Sequence, residues 1–276
     1  MDTPAIGIVG GGVVGFAVKN FFPHATVYDK YKLMDSIEDV ARARFIFICV
    51  PTPNTNGRFD GSMMDDAVEN TVKHLKKPEG QLVVIKSTVL PGTTQKYQDQ
   101  YPDVKFAFNP EFLRDQTANE DFVKTDRQLV GYTTRTKDSA LLKELLEILP
   151  PAPYERILPS SAVELIKYAA NTFLALRVIF ANQIYDVCAS VGADYENVKK
   201  VILADKRIGK SHWEIMHTEK SLDSTKSESY RGYGGKCFPK DVNGLIEVGE
   251  KLGVDVGLLV AAREINFRLN GGKYDR

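Results

Sequence analysis

Short apolar runs separated by polar, helix-compatible stretches set the rhythm of the first half of the chain. Ala5 to Val9, Ala25 to Tyr28, Phe45 to Val50, Leu82 to Ile85 and Val104 to Phe108 are such runs, and the last three are each preceded by a turn or by a helical stretch such as Met63 to Leu75. Runs too short for helices and without polar alternation fit strands buried on both faces, so the pattern predicts a parallel sheet covered by helices. A further helix is expected over Lys137 to Leu149, and Pro150-Pro151-Ala152-Pro153 cannot continue it, which marks a boundary. Beyond the prolines the period changes. Ser160 to Val191 contains neither Pro nor Gly and predicts one helix, about 48 Å long if fully helical. Ser161 with Glu164 has the spacing of a capping box at its start. Lys210 to Arg231 is polar and reads as a long mobile loop, with His212 and His217 as loop or surface residues, and Asp241 to Gly253 and Val256 to Asn270 read as two closing helices. The expected division is residues 1–158, an α/β domain, and residues 159–276, a mainly helical domain entered through the long helix.

The first strand runs into Gly10-Gly11-Gly12-Val13-Val14-Gly15, which fits G-x-G-x-x-G through Gly10, Gly12 and Gly15. Gly10 permits the turn, Gly12 leaves room for a pyrophosphate above a helix N-terminus, and Gly15 lets helix and strand pack closely. The second strand ends in Asp29, nineteen positions beyond Gly10, where a carboxylate can accept from a ribose diol. Strand, glycine turn, helix and acid together predict a Rossmann-type doubly wound sheet that binds NAD in preference to NADP.

Composition narrows the partners. In 276 residues, 36 Lys and Arg balance 36 Asp and Glu, so bulk charge gives no reason to expect a nucleic acid or an anionic membrane. No apolar stretch approaches membrane-span length and no signal-type segment is legible, which leads to the expectation of a cytoplasmic protein without a membrane partner. Cys49, Cys188 and Cys237 are odd in number and far apart, which argues against a disulfide framework, and no metal-ligand spacing is present.

Chemistry is legible in a few polar segments. Ligands of parallel sheets bind beyond the carboxyl ends of strands, where Pro51-Thr52-Pro53-Asn54, Lys86-Ser87-Thr88 and Asn109-Pro110-Glu111-Phe112-Leu113-Arg114-Asp115 fall; each is either a site segment or ordinary turn chemistry. Lys167 and Asn171, four apart, share a helix face, which is either solvated or able to polarise a substrate oxygen. Gly232-Tyr233-Gly234-Gly235-Lys236-Cys237-Phe238-Pro239 places a thiol at the start of a helix, either as a structural cysteine in a glycine-rich turn or as a nucleophile favoured as thiolate by unpaired N–H groups.

These pieces in this order resemble the UDP-glucose/GDP-mannose dehydrogenase family. The resemblance rests on Gly10-x-Gly12-x-x-Gly15, Cys49-Val50-Pro51-Thr52-Pro53, Lys86-Ser87-Thr88-Val89, Asn109 to Arg114, Glu164-x-x-Lys167-Tyr168-x-x-Asn171, and Gly234-Gly235-x-Cys237-x-Pro239-Lys240-Asp241. It implies a four-electron, NAD-dependent oxidation of a nucleotide sugar to a uronate, with UDP-glucose as the expected substrate and GDP-mannose or a UDP-N-acetylhexosamine as alternatives. The catalytic residues it implies are Cys237, Lys167, Asn171, Asp241, Glu111 and Thr88. Cofactor contacts are implied at Gly10, Gly12, Val13, Val14, Gly15, Asp29, Lys30, Pro51, Thr52, Thr88 and Asp115, and substrate contacts at Glu111, Phe112, Leu113, Lys167, Asn171, Tyr233, Gly234 and Cys237. A homodimer built on the long helix is implied as well, although such a helix equally serves internal packing.

Departures from the family pattern are Asp115 where Glu is usual, a longer segment between Gly209 and Arg231, and no sequence for the family's third, sugar-nucleotide-binding domain. Two rival readings remain open: a β-hydroxyacid dehydrogenase, which transfers one hydride and needs no thiol, and a silent NAD- or nucleotide-sugar-binding module.

Overall fold

The computed structural model describes residues 4–220 and 227–273. Two compact units divide the chain, one of Met1–Pro53 with Asp60–Lys167 and one of Asn54–Phe59 with Tyr168–Arg276. In chain order the elements begin β1 (Ile6–Val9), α1 (Val13–Phe21), β2 (Thr26–Tyr28), α2 (Ile37–Val40), β3 (Phe45–Ile48), β4 (Asn54–Thr55), β5 (Arg58–Phe59) and α3 (Ser62–His74). They continue with β6 (Leu82–Ile85), α4 (Thr93–Gln100), β7 (Phe106–Phe108), α5 (Ala118–Val123), β8 (Arg127–Tyr132), α6 (Ala140–Ile148) and β9 (Tyr154–Pro159). The chain then runs through α7 (Ser160–Val191), α8 (Tyr195–Ile202), β10 (Met216–Lys220), β11 (Ser227–Arg231), α9 (Phe238–Lys251) and α10 (Gly257–Asn270).

In the first unit seven strands form one sheet in the order β2-β1-β3-β6-β7-β8-β9. The five apolar runs pair in parallel, β1 with β2 and β3, β3 with β6, and β6 with β7. Every residue of β3, β6 and β7 is fully buried, which is why these strands read as continuous apolar runs. The sheet is Rossmann-type and mostly parallel, but β8 runs antiparallel to β7 and β9 parallel to β8. These two strands were not legible as apolar runs. Arg127 and Gln128 open β8, and every residue of β9 is exposed or half-buried. The chain order reverses between β1 and β3, the place beyond whose carboxyl ends sheets of this kind bind their ligands.

α7 begins at Ser160, so Ser161 is inside the helix and the expected capping box does not form. Glu164 caps a different helix. Its carboxylate accepts from the N–H groups of Gly92 (2.6 Å) and Thr94 (2.9 Å) and from Thr94 Oγ1 (2.6 Å), satisfying the N-terminus of α4. Burial raises the pKa of Glu164 despite these bonds.

By length and composition α7 also corrects the expectation that no stretch reaches membrane-span size, since an 18-residue window has a mean hydropathy of 1.3. Four of its polar side chains nonetheless find partners within the protein: Glu164 as above, Lys167 on Glu111, Asn171 on Asp241 and Asn182 on the Val178 carbonyl.

In the second unit Ala175, Val178 and Ile179 of α7 pack with Tyr233, Val242, Ile246 and Ala262, while Ala181 and Cys188 pack with Tyr195, Trp213 and Ile215. The segment expected to be a mobile loop contains an antiparallel pairing of β10 with β11, with residues 221–226 outside those described. Arg231 fastens it to α7 through Asn182 Oδ1 (3.0 Å) and Asp186 Oδ1 (2.8 Å). His212 and His217 are accordingly half-buried rather than on the surface, and burial lowers the pKa of both. An alternating polar and β-compatible pattern, Met216-His217-Thr218, was the available signal for the strand.

Candidate functional site

The glycine turn between β1 and α1 is built by three different constraints. Gly10 has φ +106°, and a Cβ there would lie 2.7 Å from the Cys49 carbonyl oxygen. A Cβ on Gly15 would lie 1.9 Å from the Gly10 carbonyl oxygen, so helix and strand touch backbone to backbone. Gly12, the N-cap of α1, has nothing within 4 Å of its would-be Cβ. Open space above unpaired N–H groups at a helix start fits a pyrophosphate.

Asp29 closes β2 and is held in place by the N–H groups of Gly11 (2.8 Å to Oδ2) and Tyr31 (2.9 Å to Oδ1). A carboxylate has about four acceptor positions, so capacity remains for a ribose diol. These residues fit NAD. Val13 is exposed beside the turn and Val14 packs on the core. Lys30 does not face the turn; it forms an exposed ion pair with Asp66 at 3.0 Å. Lys32, which no motif singled out, donates to the Gly11 carbonyl and lies over the Phe16 ring.

The polar segments beyond β3, β6 and β7 are cross-linked. Thr52 Oγ1 donates to the Thr88 carbonyl (2.8 Å) and Ser87 Oγ to the Val50 carbonyl (2.6 Å), while Pro51 stays exposed and Thr88 half-buried. Within Asn109 to Asp115, Glu111 receives the Lys167 ammonium twice, at its main-chain oxygen (2.6 Å) and at Oε1 (3.0 Å), and its Oε2 accepts from the Leu113 N–H (2.6 Å). The Phe112 ring lies under both cations, Arg127 at 3.9 Å and Lys167 at 5.2 Å. Leu113 packs on the core, and Asp115 is exposed at the start of a short 3-10 turn. Burial alone would raise the Glu111 pKa; the Lys167 charge, the Leu113 N–H and the Lys86 charge outweigh it and hold the carboxyl below its usual range.

The second unit presents the thiol. Cys237 is the N-cap of α9 and Pro239 lies in its first turn, as the sequence led one to expect. The preceding turn needs its glycines: Gly232 and Gly235 have φ of +80° and +73°, and a Cβ on Gly234 would lie 2.7 Å from the Tyr230 ring. Asn266 of α10, absent from any motif, clamps the Tyr233 backbone on both sides, accepting from its N–H (2.7 Å) and donating to its carbonyl (3.0 Å). Asp241, only 1% exposed, accepts from Asn171 Nδ2 and from Lys240 Nζ, both at 2.5 Å. Lys167 and Asn171, a turn apart on α7, thus each hold a different carboxylate. Among the described residues no group of three or more His, Cys, Asp or Glu is placed to hold a metal ion.

Comparison with known proteins places both units. Residues 17–149 match the NAD binding domain of the UDP-glucose/GDP-mannose dehydrogenase family, and residues 161–268 match its central domain. The chain belongs to this family. Among similar members, the UDP-glucose 6-dehydrogenase of Rickettsia bellii is 31% identical over 252 residues, covering 89% of this chain and 54% of that protein. UDP-glucose 6-dehydrogenase YwqF of Bacillus subtilis is 34% identical over 235 residues, 82% of this chain and 49% of that protein. The chain therefore spans about half the length of these relatives. A solved UDP-glucose dehydrogenase from Pyrobaculum islandicum superposes with a TM-score of 0.80 at 28% identity, covering 96% of this chain and 68% of that one. NAD is the cofactor of the family's N-terminal domain.

Proposed function

We propose that the chain carries out the NAD-dependent four-electron oxidation of a nucleotide sugar, UDP-glucose to UDP-glucuronate. The observation that carries this reading is Cys237 at the N-terminus of α9, one turn before the buried Asp241 that Asn171 holds, in a chain of this family. A single alcohol oxidation needs no thiol, whereas oxidation onward to an acid needs a nucleophile that adds to the aldehyde.

NAD, when bound, supplies the two-electron acceptor for each oxidation, and Gly10, Gly12, Gly15 and Asp29 are the residues suited to hold it. Asp241, assisted by Thr88, accepts the proton of the sugar C6 alcohol. Lys167 and Asn171 stabilise negative charge as it develops on the substrate oxygen. The Cys237 thiolate, favoured at a helix start, adds to the aldehyde to give a thiohemiacetal, and its oxidation leaves a thioester. Glu111 activates the water that hydrolyses the thioester, for which an ionised carboxylate is required. Phe112, Leu113, Tyr233 and Gly234 are the proposed substrate contacts, and Val13, Val14, Lys30, Pro51, Thr52 and Asp115 the remaining cofactor contacts. Lys30 would have to leave its ion pair with Asp66 to reach the cofactor. A homodimer belongs to the same reading, because Phe173, Phe180 and Val187 recur every seven residues along α7 and are 60%, 51% and 57% exposed.

The test is to incubate the purified chain with NAD and UDP-glucose and to follow NADH absorbance. Formation of NADH with UDP-glucose, and more slowly with GDP-mannose or UDP-N-acetylhexosamines, is expected. No signal with any of them would favour the silent binding module.

A further inference from the structure

Lys86 is 2% exposed, yet among the described residues no carboxylate lies within ion-pair distance of its amine. Its Nζ donates instead to the Asn109 carboxamide oxygen at 2.7 Å and rests 5.2 Å from the centre of the Phe122 ring. Burying an ammonium without a carboxylate partner costs several kcal/mol in general, and an aliphatic side chain of the same length would avoid that cost. The charge therefore needs an explanation beyond filling space.

Its surroundings supply one. The Lys86 N–H donates to the Ile48 carbonyl at the end of β3, and the Asn109 N–H donates to the Ile85 carbonyl at the end of β6. The Asn109 carboxamide in turn donates to Gln128 Oε1 (3.0 Å) and the Leu129 carbonyl (2.8 Å) on β8. Lys86 and Asn109 thus clasp the ends of β3, β6 and β7 to β8, and Glu111 is carried on the chain two residues beyond Asn109. Burial apart, the groups that act on Lys86 are the Cys49 thiol, then Glu111, then Lys167. Cys49 is no counterion, because burial pushes its pKa up to about 12 and leaves it neutral. Lys167 grips Glu111 directly, so the Lys86 charge reaches the same carboxylate without bonding to it.

We propose that Lys86 is a positioning residue for Glu111: through Asn109 it fixes the segment that carries Glu111, and its buried positive charge acts with that of Lys167 on the Glu111 carboxylate. This rests on the reading of Glu111 as the group that activates water. Burial lowers the Lys86 pKa to about 8, so the support it gives is present at neutral pH and fades as pH rises through that value.

The test separates charge from packing by titrating Glu111 itself. In the full chain labelled with 13C at glutamate carboxyls, the Glu111 resonance is assigned by its loss in Glu111→Gln, and its midpoint is followed by NMR. Lys86→Met removes the charge, Lys86→Gln removes the charge and keeps a hydrogen bond to Asn109 if the methionine variant does not fold, and Lys86→Arg keeps the charge. The midpoint is expected to rise by about half a pH unit or more in Lys86→Met or Lys86→Gln and to stay in place in Lys86→Arg. The acid limb of the pH profile for thioester hydrolysis should move with it, with KM for the nucleotide sugar unchanged. An unmoved Glu111 midpoint in a folded, uncharged variant would overturn the proposal, as would an equal shift in Lys86→Arg. If Glu111→Gln hydrolysed the thioester at the wild-type rate, the role of Glu111 would fall, while the titration would still decide what Lys86 does to it.

Discussion

The Lys167 ammonium and the Glu111 carboxylate form a largely buried pair, 3.0 Å apart, in which Lys167 is 3% and Glu111 11% exposed and Lys167 also holds the Glu111 main-chain oxygen. Removing one partner leaves the other charge buried without its counterpart, so Lys167→Met should cost about 3 kcal/mol in denaturant unfolding. The double variant Lys167→Met/Glu111→Gln should cost less than the sum of the two single ones. A carboxyl held below its usual range binds fewer protons folded than unfolded. Its contribution is therefore complete above the unfolded value, about 4.3, and is lost as pH falls through the folded one. Denaturant midpoints measured against pH should show wild type losing stability relative to Glu111→Gln on acidification below that point.

Gly12 and Gly15 look equivalent in the motif but differ in space. A Cβ at Gly15 meets the Gly10 carbonyl at 1.9 Å, whereas one at Gly12 meets nothing within 4 Å. Gly15→Ala should lower stability by about 3 kcal/mol or more. Gly12→Ala should melt close to wild type and weaken NAD binding, as followed by quenching of protein fluorescence.

Much of this was legible because buried parallel strands write themselves as unbroken apolar runs, and a glycine turn needs glycine for steric reasons visible in any sequence. β8 escaped because it opens with Arg127 and Gln128, whose polar groups serve Phe112 and Asn109 rather than solvent. The partners of the site were harder still. Glu164 has capping-box spacing to Ser161, yet its carboxylate serves Gly92 and Thr94, some seventy residues away in the chain. Lys167 and Asn171 share a helix face in sequence, but which acid each one holds depends on long-range packing that spacing does not encode.

Asn266 is the strongest case of a residue no motif announced. It is fully buried and bonds both sides of Tyr233, and a Cβ on neighbouring Gly232 would lie 2.4 Å from its Oδ1. Asn266→Ala should cost about 2 kcal/mol in thermal unfolding. It should also change the rate at which iodoacetamide alkylates Cys237, since the turn that presents the thiol loses its clamp.

The seven-residue recurrence of Phe173, Phe180 and Val187 predicts an interface along α7. Phe180→Glu places a charge in the middle of that seam. Light scattering should show the wild-type chain as a dimer and this variant as a monomer with an unchanged circular dichroism spectrum.

In the proposed reaction Cys237 carries the substrate as a thioester. Glu111→Gln should slow hydrolysis enough for the intermediate to accumulate, so this variant, mixed with NAD and UDP-glucose, quenched in acid and digested, should yield the peptide containing Cys237 with a UDP-glucuronyl adduct seen by mass spectrometry. The adduct should be absent without NAD and absent from a chain carrying Cys237→Ala. NADH formation that proceeds with no adduct on Cys237, and at an undiminished yield in Cys237→Ala, would contradict the account.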